Sequence, residues 1–313
     1  MKITILIPTF NSEKFILISL NELINAIKKL KEQFQLIIID DGSSDSTYDV
    51  LLNFKKNIKN KNIFNFTLIK NSKNYGQHVA NFIGMKYSQG DYLLTMDDDL
   101  QNNPSDIIKL IEFSKKNPEI EIVYGNFEQK KHRLYRIIGS KIINKLLVNI
   151  FNIEKKDLKI TNFRLIKNNV VKKIIQDNSY RPYVPGLALK YSIKHANVLV
   201  IHHEKKFGKS NYTISKLFGL VWYLLFFHST LPLRFITIFG LISSLIIFLV
   251  ASFTTIKAIF YGNVIPGWAS IVTLISISNI IIIIFLIILS EYFITLLRQI
   301  NTKNIIYDFN VDE

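Results

Sequence analysis

Residues 3–7, 36–39 and 92–96 form short, almost wholly apolar segments, each followed by a polar turn and a candidate amphipathic helix. A strand that is apolar along its whole length has to be covered on both faces, which is typical of parallel sheets in α/β proteins. The sequence therefore predicts an α/β fold, with a mostly parallel sheet and helices on both faces.

A run of acids at residues 97–99 follows the third apolar segment. In an extended chain Asp97 and Asp99 lie on the same side, where both can meet one divalent ion. Oxygen ligands of this kind favour Mg²⁺ or Mn²⁺. The alternative is a solvated acidic turn that caps a helix over residues 104–116, since Asp is a common N-cap.

Other polar residues end the first two segments, namely Thr9, Asp40 and Asp41. Ligands of open parallel sheets bind beyond the carboxyl ends of the strands. The sequence therefore predicts one site at this edge of the sheet, shared with Asp97 and Asp99.

Cysteine is absent, which excludes disulfides and thiolate chemistry. The formal net charge of +15 is compatible with nucleic acid. However, many lysines lie in Asn-, Lys- and Ile-rich stretches such as residues 55–62, which indicate a solvated face with a compositional bias. Anionic lipid attracts basic residues, so we predict membrane lipid as a partner and no nucleic acid.

Residues 235–256 carry no charge and, as a helix, match the roughly 30 Å hydrocarbon core of a bilayer. A second uncharged stretch, residues 258–290, is interrupted near residues 261–268 by turn-forming residues. We predict a transmembrane hairpin over residues 235–297, with spans at about 235–257 and 269–293. The alternative is a buried helical hairpin in a soluble core.

Basic residues predict the orientation of the chain. They are concentrated in residues 1–212, expected to be a cytoplasmic domain, and recur in a C-terminal tail over residues 298–313. By the positive-inside rule both termini are cytoplasmic, in a multi-pass protein of the bacterial inner membrane. Residues 213–234 are predicted to lie along the membrane interface, with a core helix of the soluble domain as the alternative.

A series of motifs runs in order along the chain: IPTFN at 7–11, DDGSSD at 40–45, NYGQH at 74–78, GDYLLTMDDDLQNNP at 90–104, YRIIGSKIINKL at 135–146, NFRLI at 162–166, FGKSNY at 207–212, LPLR at 231–234 and EY at 291–292. With these motifs the chain resembles the family-2 glycosyltransferases of the GT-A fold. Within that family it is similar to the polyisoprenyl-phosphate glycosyltransferases.

The resemblance implies a Rossmann-like GT-A domain that performs inverting, metal-dependent sugar transfer at the cytoplasmic face. The donor is expected to be a nucleotide diphosphate sugar, UDP-linked, and the acceptor a polyisoprenyl phosphate, undecaprenyl phosphate in particular. The family also suggests a homotetramer. Two alternatives stay open, transfer to a growing glycan or another lipid, and an inactive scaffold that binds nucleotide sugar or lipid.

Three groups of site residues follow from the resemblance. The metal, Mg²⁺ or Mn²⁺, is expected at Asp97, Asp99 and Gln101, and the catalytic residues are expected to be Asp97, Asp99 and Arg136. The nucleotide-binding residues are expected to be Pro8, Thr9, Asn11, Glu13, Asp40, Asp41, Gly76 and Asp98. The residues that bind the acceptor phosphate are expected to be Arg136, Ser140, Arg164, Lys209 and Tyr212.

Some of these residues have simpler interpretations. Arg136 and Ser140 have helical i, i+4 spacing, but Arg136 could be one cation of a basic amphipathic helix. Each of the six residues expected at the nucleotide after the first two segments could instead cap a helix, and we expect two of the six to do only that. His78 is interpreted as a packing or helix-start residue in preference to a catalytic residue.

The chain departs from the family pattern at three places. Ser12 and Glu13 follow Asn11 where relatives have Asn-Glu-x-Glu, Asn162 replaces an acid before Phe-Arg, and residues 125–127 lack an arginine. An acceptor phosphate is already anionic near neutral pH and needs little help from a general base. If the family's acid were an essential base, this protein would be impaired, and if the acid only orients substrate, Asn162 can replace it. The anionic phosphate favours the second view.

Overall fold

A computed structural model describes residues 1–58, 62–99, 103–127, 158–177, 182–200 and 308–312, with single positions between 219 and 296. The chain forms two compact units. One comprises Met1–Asn211 with Thr302–Glu313, and the other comprises Tyr212–Asn301.

The first unit is built on one sheet of eight described strands, in the order β7-β5-β6-β4-β1-β2-β3-β8. They are β1 (Lys2–Thr9), β2 (Gln33–Asp40), β3 (Ile63–Asn71), β4 (Tyr92–Thr95), β5 (Ile122–Phe127), β6 (Arg164–Lys167), β7 (His195–Val200) and β8 (Phe309–Asp312). Of these strands, β6 and β8 run antiparallel to their neighbours, and the other pairs are parallel. The prediction of a mostly parallel sheet is confirmed.

The described helices of this unit are α1 (Ile16–Ile27), α2 (Thr47–Asn57), α3 (Gln77–Met85), α4 (Asp106–Lys116), α5 (Asn168–Ile175) and α6 (Val184–Tyr191). Residues of α1 and α4 share a buried core with alternate strand residues such as Ile5 and Leu36. On the other face, Gly84 of α3 lies so near the sheet that a Cβ there would come within 2.4 Å of Leu6 Cδ1. Helices therefore cover both faces, as the apolar strands predicted.

The order in which strands are added to the sheet reverses at β1. After β1 the chain adds β2 and β3 on one side, and it then returns to place β4 on the other side of β1. The crevice outside the carboxyl ends of β1 and β4 is therefore the topological switch point, where open α/β sheets bind ligands. Thr9 is paired in register with Asp40, and Leu6 with Thr95, so the loops after β1, β2 and β4 meet there.

Residues 309–312 join the edge of this sheet as β8, next to β3. The sequence predicted only a tail over residues 298–313. Asn71 pairs with Phe309 and Leu68 with Asp312, and the Asp312 carboxylate accepts an ion pair from Lys55 at 3.2 Å. This strand has only four residues, and their side chains are half-exposed or exposed. Such a short segment has no clear alternation of apolar and polar residues, so it could not be predicted from the sequence.

The predicted spans over 235–257 and 269–293 are described only at scattered positions. Among the positions that are described, no helix combines the length and hydropathy needed to cross a bilayer. Several described helical positions of the second unit expose large apolar side chains, and Phe235, Phe239 and Phe293 are 72%, 60% and 63% exposed.

Candidate active site

Asp97 occupies the switch point directly after β4 and is half-buried. Its Oδ1 atom accepts hydrogen bonds from Gln77 Nε2 and, at 3.3 Å, from Asn162 Nδ2. Burial raises the pKa of Asp97 to about 6, and the charges of Asp99 and Asp98 act in the same direction. A cation bound here would neutralise part of the negative charge of these three carboxylates.

Asp98 lies in the loop after β4, and its side chain is hydrogen-bonded to residues at the end of β1 and in the loop that follows it. Its Oδ2 atom accepts hydrogen bonds from Thr9 Oγ1 at 2.6 Å and from Ser12 Oγ at 2.5 Å. Burial raises the pKa of Asp98, while these two hydroxyl donors act against the shift. Two residues expected at the nucleotide, Thr9 and Asp98, are therefore bonded to each other in this structure.

The carboxylates of Asp97 and Asp99 suit a divalent cation that arrives with a diphosphate. Within the described ranges no three His, Asp or Glu side chains converge as a ready metal cluster. Mg²⁺ does not need one, because it is usually held by one or two carboxylates together with substrate phosphates and water. Asp99 is 9% exposed and lies beside Asp97, so the donor set fits such an ion.

Asp40, at the end of β2, is fully buried. Its Oδ1 atom accepts a hydrogen bond from the Ser43 backbone N–H at 3.0 Å, while Oδ2 has no hydrogen-bond partner among the described residues. Burial raises the pKa of Asp40. A buried acceptor without a hydrogen-bond donor destabilises the folded state. An unpaired oxygen of this kind is suited to accept an N–H of a nucleotide base.

Asp41 differs from Asp40, because both of its carboxylate oxygens accept hydrogen bonds from other groups of the protein. It accepts hydrogen bonds from Asn71 Nδ2 at 2.8 Å, Tyr75 N at 2.9 Å and Gly76 N at 2.7 Å. Gly76 has a φ of 91°, a conformation that favours glycine. Asp41 therefore fixes the loop that starts α3 and, through it, the position of Gln77 beside Asp97.

The substitution Asp41→Asn is expected to lower the free energy of unfolding by about 1–3 kcal/mol, because the amide NH₂ would face the backbone N–H of either Tyr75 or Gly76 and leave it unpaired. The melting temperature of the purified protein should fall by several degrees. Asp49→Asn is the matched control, since Asp49 is exposed in the first turn of α2. Equal melting temperatures for the two variants would show that the Asp41 contacts do not hold this loop.

Asn11 and Glu13, both expected at the nucleotide, connect the loops after β1 and β2. Asn11 has a φ of 52°, and its Oδ1 atom accepts a hydrogen bond from Ser44 N at 2.9 Å. Glu13 Oε2 accepts one from Ser46 N at 3.0 Å, at the start of α2. Pro8 lies within β1, paired with Ile39. These contacts give Asn11 and Glu13 a structural role at the rim of the site.

Arg164 begins β6 and is fully buried. None of its three guanidinium nitrogens has a hydrogen-bond partner among the described residues. The ring of His78 packs edge-on against Tyr183, with ring centroids 4.8 Å apart. Burial and then the charge of Arg164 lower the pKa of His78 to about 4, so this ring is neutral. The packing role predicted for His78 agrees with this contact.

The other sequence-predicted site residues, Gln101, Arg136, Ser140, Lys209 and Tyr212, lie outside the described residues. Sequence reasoning missed Gln77 and Ser12, which hold Asp97 and Asp98. Their proximity to the quoted motifs was the only available signal, since Gln77 lies within NYGQH and Ser12 follows IPTFN.

Comparisons with known proteins agree with this architecture. The family model described as glycosyl transferase family 2 matches residues 4–174. Undecaprenyl-phosphate 4-deoxy-4-formamido-L-arabinose transferase of Photorhabdus laumondii is 29% identical to this chain, covering 86% of it and 80% of the relative. The protein of the same name from Proteus mirabilis is 27% identical, with 86% and 79% covered.

Solved structures show the same fold at low identity. Glucosyl-3-phosphoglycerate synthase from Mycobacterium tuberculosis, in complex with Mn²⁺, UDP and glucosyl-3-phosphoglycerate, matches with a TM-score of 0.53 and 15% identity. The match covers 72% of this chain and 77% of that chain. At this identity the likeness establishes the GT-A type of fold.

Proposed function

The chain belongs to glycosyl transferase family 2, and we propose that this glycosyltransferase moves one sugar, with inversion, from a UDP-sugar to undecaprenyl phosphate. The observation that carries the proposal is the meeting of Asp40, Asp97 and Asp99 at the switch-point edge of the sheet. The acceptor is suggested by relatives named as undecaprenyl-phosphate transferases.

The donor nucleotide is proposed to bind across the ends of β1 and β2. The free Oδ2 atom of Asp40 would accept an N–H of the base, in the rim formed by Asn11 and Glu13. Gly76 allows the backbone to approach the ligand closely, while Pro8, Thr9, Asp41 and Asp98 shape the loops around it. A pyrimidine base with an N3–H suits a carboxylate acceptor.

The diphosphate is proposed to meet Asp97, Asp99 and Gln101, which would hold Mg²⁺ or Mn²⁺. A divalent ion bound there would neutralise the charge that develops on the leaving diphosphate. Gln77 and Asn162 donate hydrogen bonds to Oδ1 of Asp97, and Oδ2 would be the oxygen available to hold an ion. Orienting contacts of this kind commonly affect metal affinity about 10–100-fold.

The acceptor phosphate supplies the nucleophile, an anionic oxygen that attacks the anomeric carbon opposite the leaving group. We propose Arg136, Ser140, Lys209 and Tyr212 as its ligands, together with Arg164. The guanidinium fork of arginine suits two phosphate oxygens at once. Asn162 donates to Asp97 and cannot remove a proton, which agrees with a nucleophile that needs no general base.

The proposed place of the reaction is the cytoplasmic face of the bacterial inner membrane. In this proposal residues 1–212 are the catalytic domain, residues 213–234 an interfacial segment and residues 235–297 a transmembrane hairpin. The exposed apolar side chains at described positions of the second unit, such as Phe235 and Phe293, suit contact with lipid.

Topology gives a separate prediction. In a Gly262→Cys variant the thiol is expected to react with a membrane-impermeant maleimide in intact cells, because the loop between the proposed spans should lie outside the cytoplasm. A Glu313→Cys variant is the control and should react only after the inner membrane is permeabilised. The native chain has no cysteine to interfere. Labelling of Gly262→Cys only after permeabilisation would reverse the proposed orientation.

A donor panel tests the proposed function. The purified protein is mixed with Mg²⁺ or Mn²⁺ and with UDP-, GDP- and CMP-linked sugars, with or without undecaprenyl phosphate, and the release of free nucleotide is measured. We expect release from a UDP-sugar that depends on both the lipid phosphate and the metal. Release that is independent of undecaprenyl phosphate, or release that persists in excess chelator, would refute the proposal.

A further inference from the structure

A row of polar side chains crosses the sheet beside Asp97. Thr95 of β4, Arg164 of β6 and Tyr124 of β5 are register partners on neighbouring strands, so their side chains lie on the same face. Asn162, two residues before Arg164, donates to Asp97 from this row. The row therefore runs from the metal-binding edge into the interior of the domain.

Arg164 and Tyr124 are both fully buried, and His78 is half-buried at the start of α3. The three guanidinium nitrogens of Arg164, the hydroxyl of Tyr124 and Nδ1 of His78 are buried without a hydrogen-bond partner among the described residues. Burial lowers the pKa of Arg164 and raises the pKa of Tyr124 to about 12. Arg164 contributes three of these unpaired atoms, more than any other described residue.

A buried guanidinium without a partner carries a large desolvation penalty. The acid whose charge reaches Arg164 is Asp97, but its Oδ1 atom already accepts from Gln77 and Asn162. The unpaired groups of Arg164 and Tyr124 can donate, so the missing component is an acceptor. Arginine binds the oxygens of phosphate and carboxylate in bidentate fashion, which identifies the acceptor as an oxyanion.

We propose that Arg164, Tyr124 and His78 form an inner oxyanion site, which receives a phosphate or carboxylate group of a substrate next to the metal-binding edge. The inference rests on the proposed function, which offers two sources for this group, the acceptor phosphate and the diphosphate of the donor. Entry requires a side chain to move, and His78, which is only half-buried, is the nearest of the three to the surface.

Tyr124→Phe tests the site with the smallest change, because it removes one oxygen and keeps the buried ring. We expect the KM of one substrate to rise about 5–20-fold, while the melting temperature of the free protein stays equal or rises, since an unpaired hydroxyl is removed. Arg164→Met should give a larger KM effect with the same thermal behaviour. The control is Tyr92→Phe, at the opposite end of β4, with no expected change in KM.

The kinetic split identifies the source of the oxyanion. A rise in the KM of undecaprenyl phosphate alone assigns the acceptor phosphate, and a rise in the KM of the nucleotide sugar alone assigns the donor. Unchanged KM values in both Tyr124→Phe and Arg164→Met would overturn the site. Wild-type turnover with undecaprenyl phosphate is measured in the same series, and its absence would refute the proposed function. In that case, protection of the wild type against heat by inorganic phosphate, lost in Tyr124→Phe, still tests the oxyanion site.

Discussion

Asp99→Ala is expected to lower the rate of sugar transfer by about 10³-fold or more, equivalent to roughly 4 kcal/mol of transition-state stabilisation. The substitution removes one of two carboxylates that would hold the metal against the leaving diphosphate. Asp99 lies at the sheet edge and outside the apolar core, so the fold should survive. The melting temperature of the variant should therefore stay near that of the wild type.

Measurements of UDP binding with and without Mn²⁺ distinguish the loss of a metal ligand from a general defect in folding. Binding of UDP to Asp99→Ala should become independent of Mn²⁺, whereas Mn²⁺ should strengthen UDP binding to the wild type. Asp49→Asn removes an exposed carboxylate in the first turn of α2 and should keep both activity and the Mn²⁺ effect. An active Asp99→Ala variant, or a wild type that is fully active in excess chelator, would remove the metal from the mechanism.

Arg136→Lys is expected to lose most transfer activity, by about 10–100-fold, although the positive charge is kept. An ammonium group cannot reproduce the planar, bidentate contact of a guanidinium with phosphate. The loss should appear mainly in kcat/KM for undecaprenyl phosphate, while UDP binding stays unchanged.

Arg133 provides the comparison, because it is a second arginine of the same basic stretch. Transfer to undecaprenyl phosphate is measured side by side for Arg136→Lys, Arg136→Ala and Arg133→Ala. If Arg136 contacts phosphate, Arg133→Ala should remain close to the wild type. Near-normal activity of Arg136→Lys, with similar losses in the two alanine variants, would favour general attraction by a basic surface.

Much of the first unit could be predicted from the sequence, because its strands carry a local signal. The apolar segments at 3–7, 36–39 and 92–96 are strands, and the rule for parallel sheets brings Thr9, Asp40 and the acids after β4 to one edge. The structure confirms this fold. The motifs also identified the family correctly.

The division of work among the acids could not be predicted, since it depends on contacts between distant segments. Asp40 and Asp41 are adjacent and chemically identical, yet one keeps an unpaired oxygen and the other binds the loop before α3. Tyr124 was not suggested by any motif, because only the pairing of β5 with β6 brings it beside Arg164. The edge strand β8 likewise depends on a partner far away in the chain.

Mass analysis of the lipid is the most direct test of the proposed transfer. After incubation with the active nucleotide sugar, undecaprenyl phosphate should gain the mass of one sugar for each nucleoside diphosphate released. The anomeric configuration of the new sugar phosphate should be opposite to that of the donor. Unchanged lipid alongside nucleotide release, more than one sugar per lipid, or retention of configuration would each disprove inverting transfer of a single sugar to undecaprenyl phosphate.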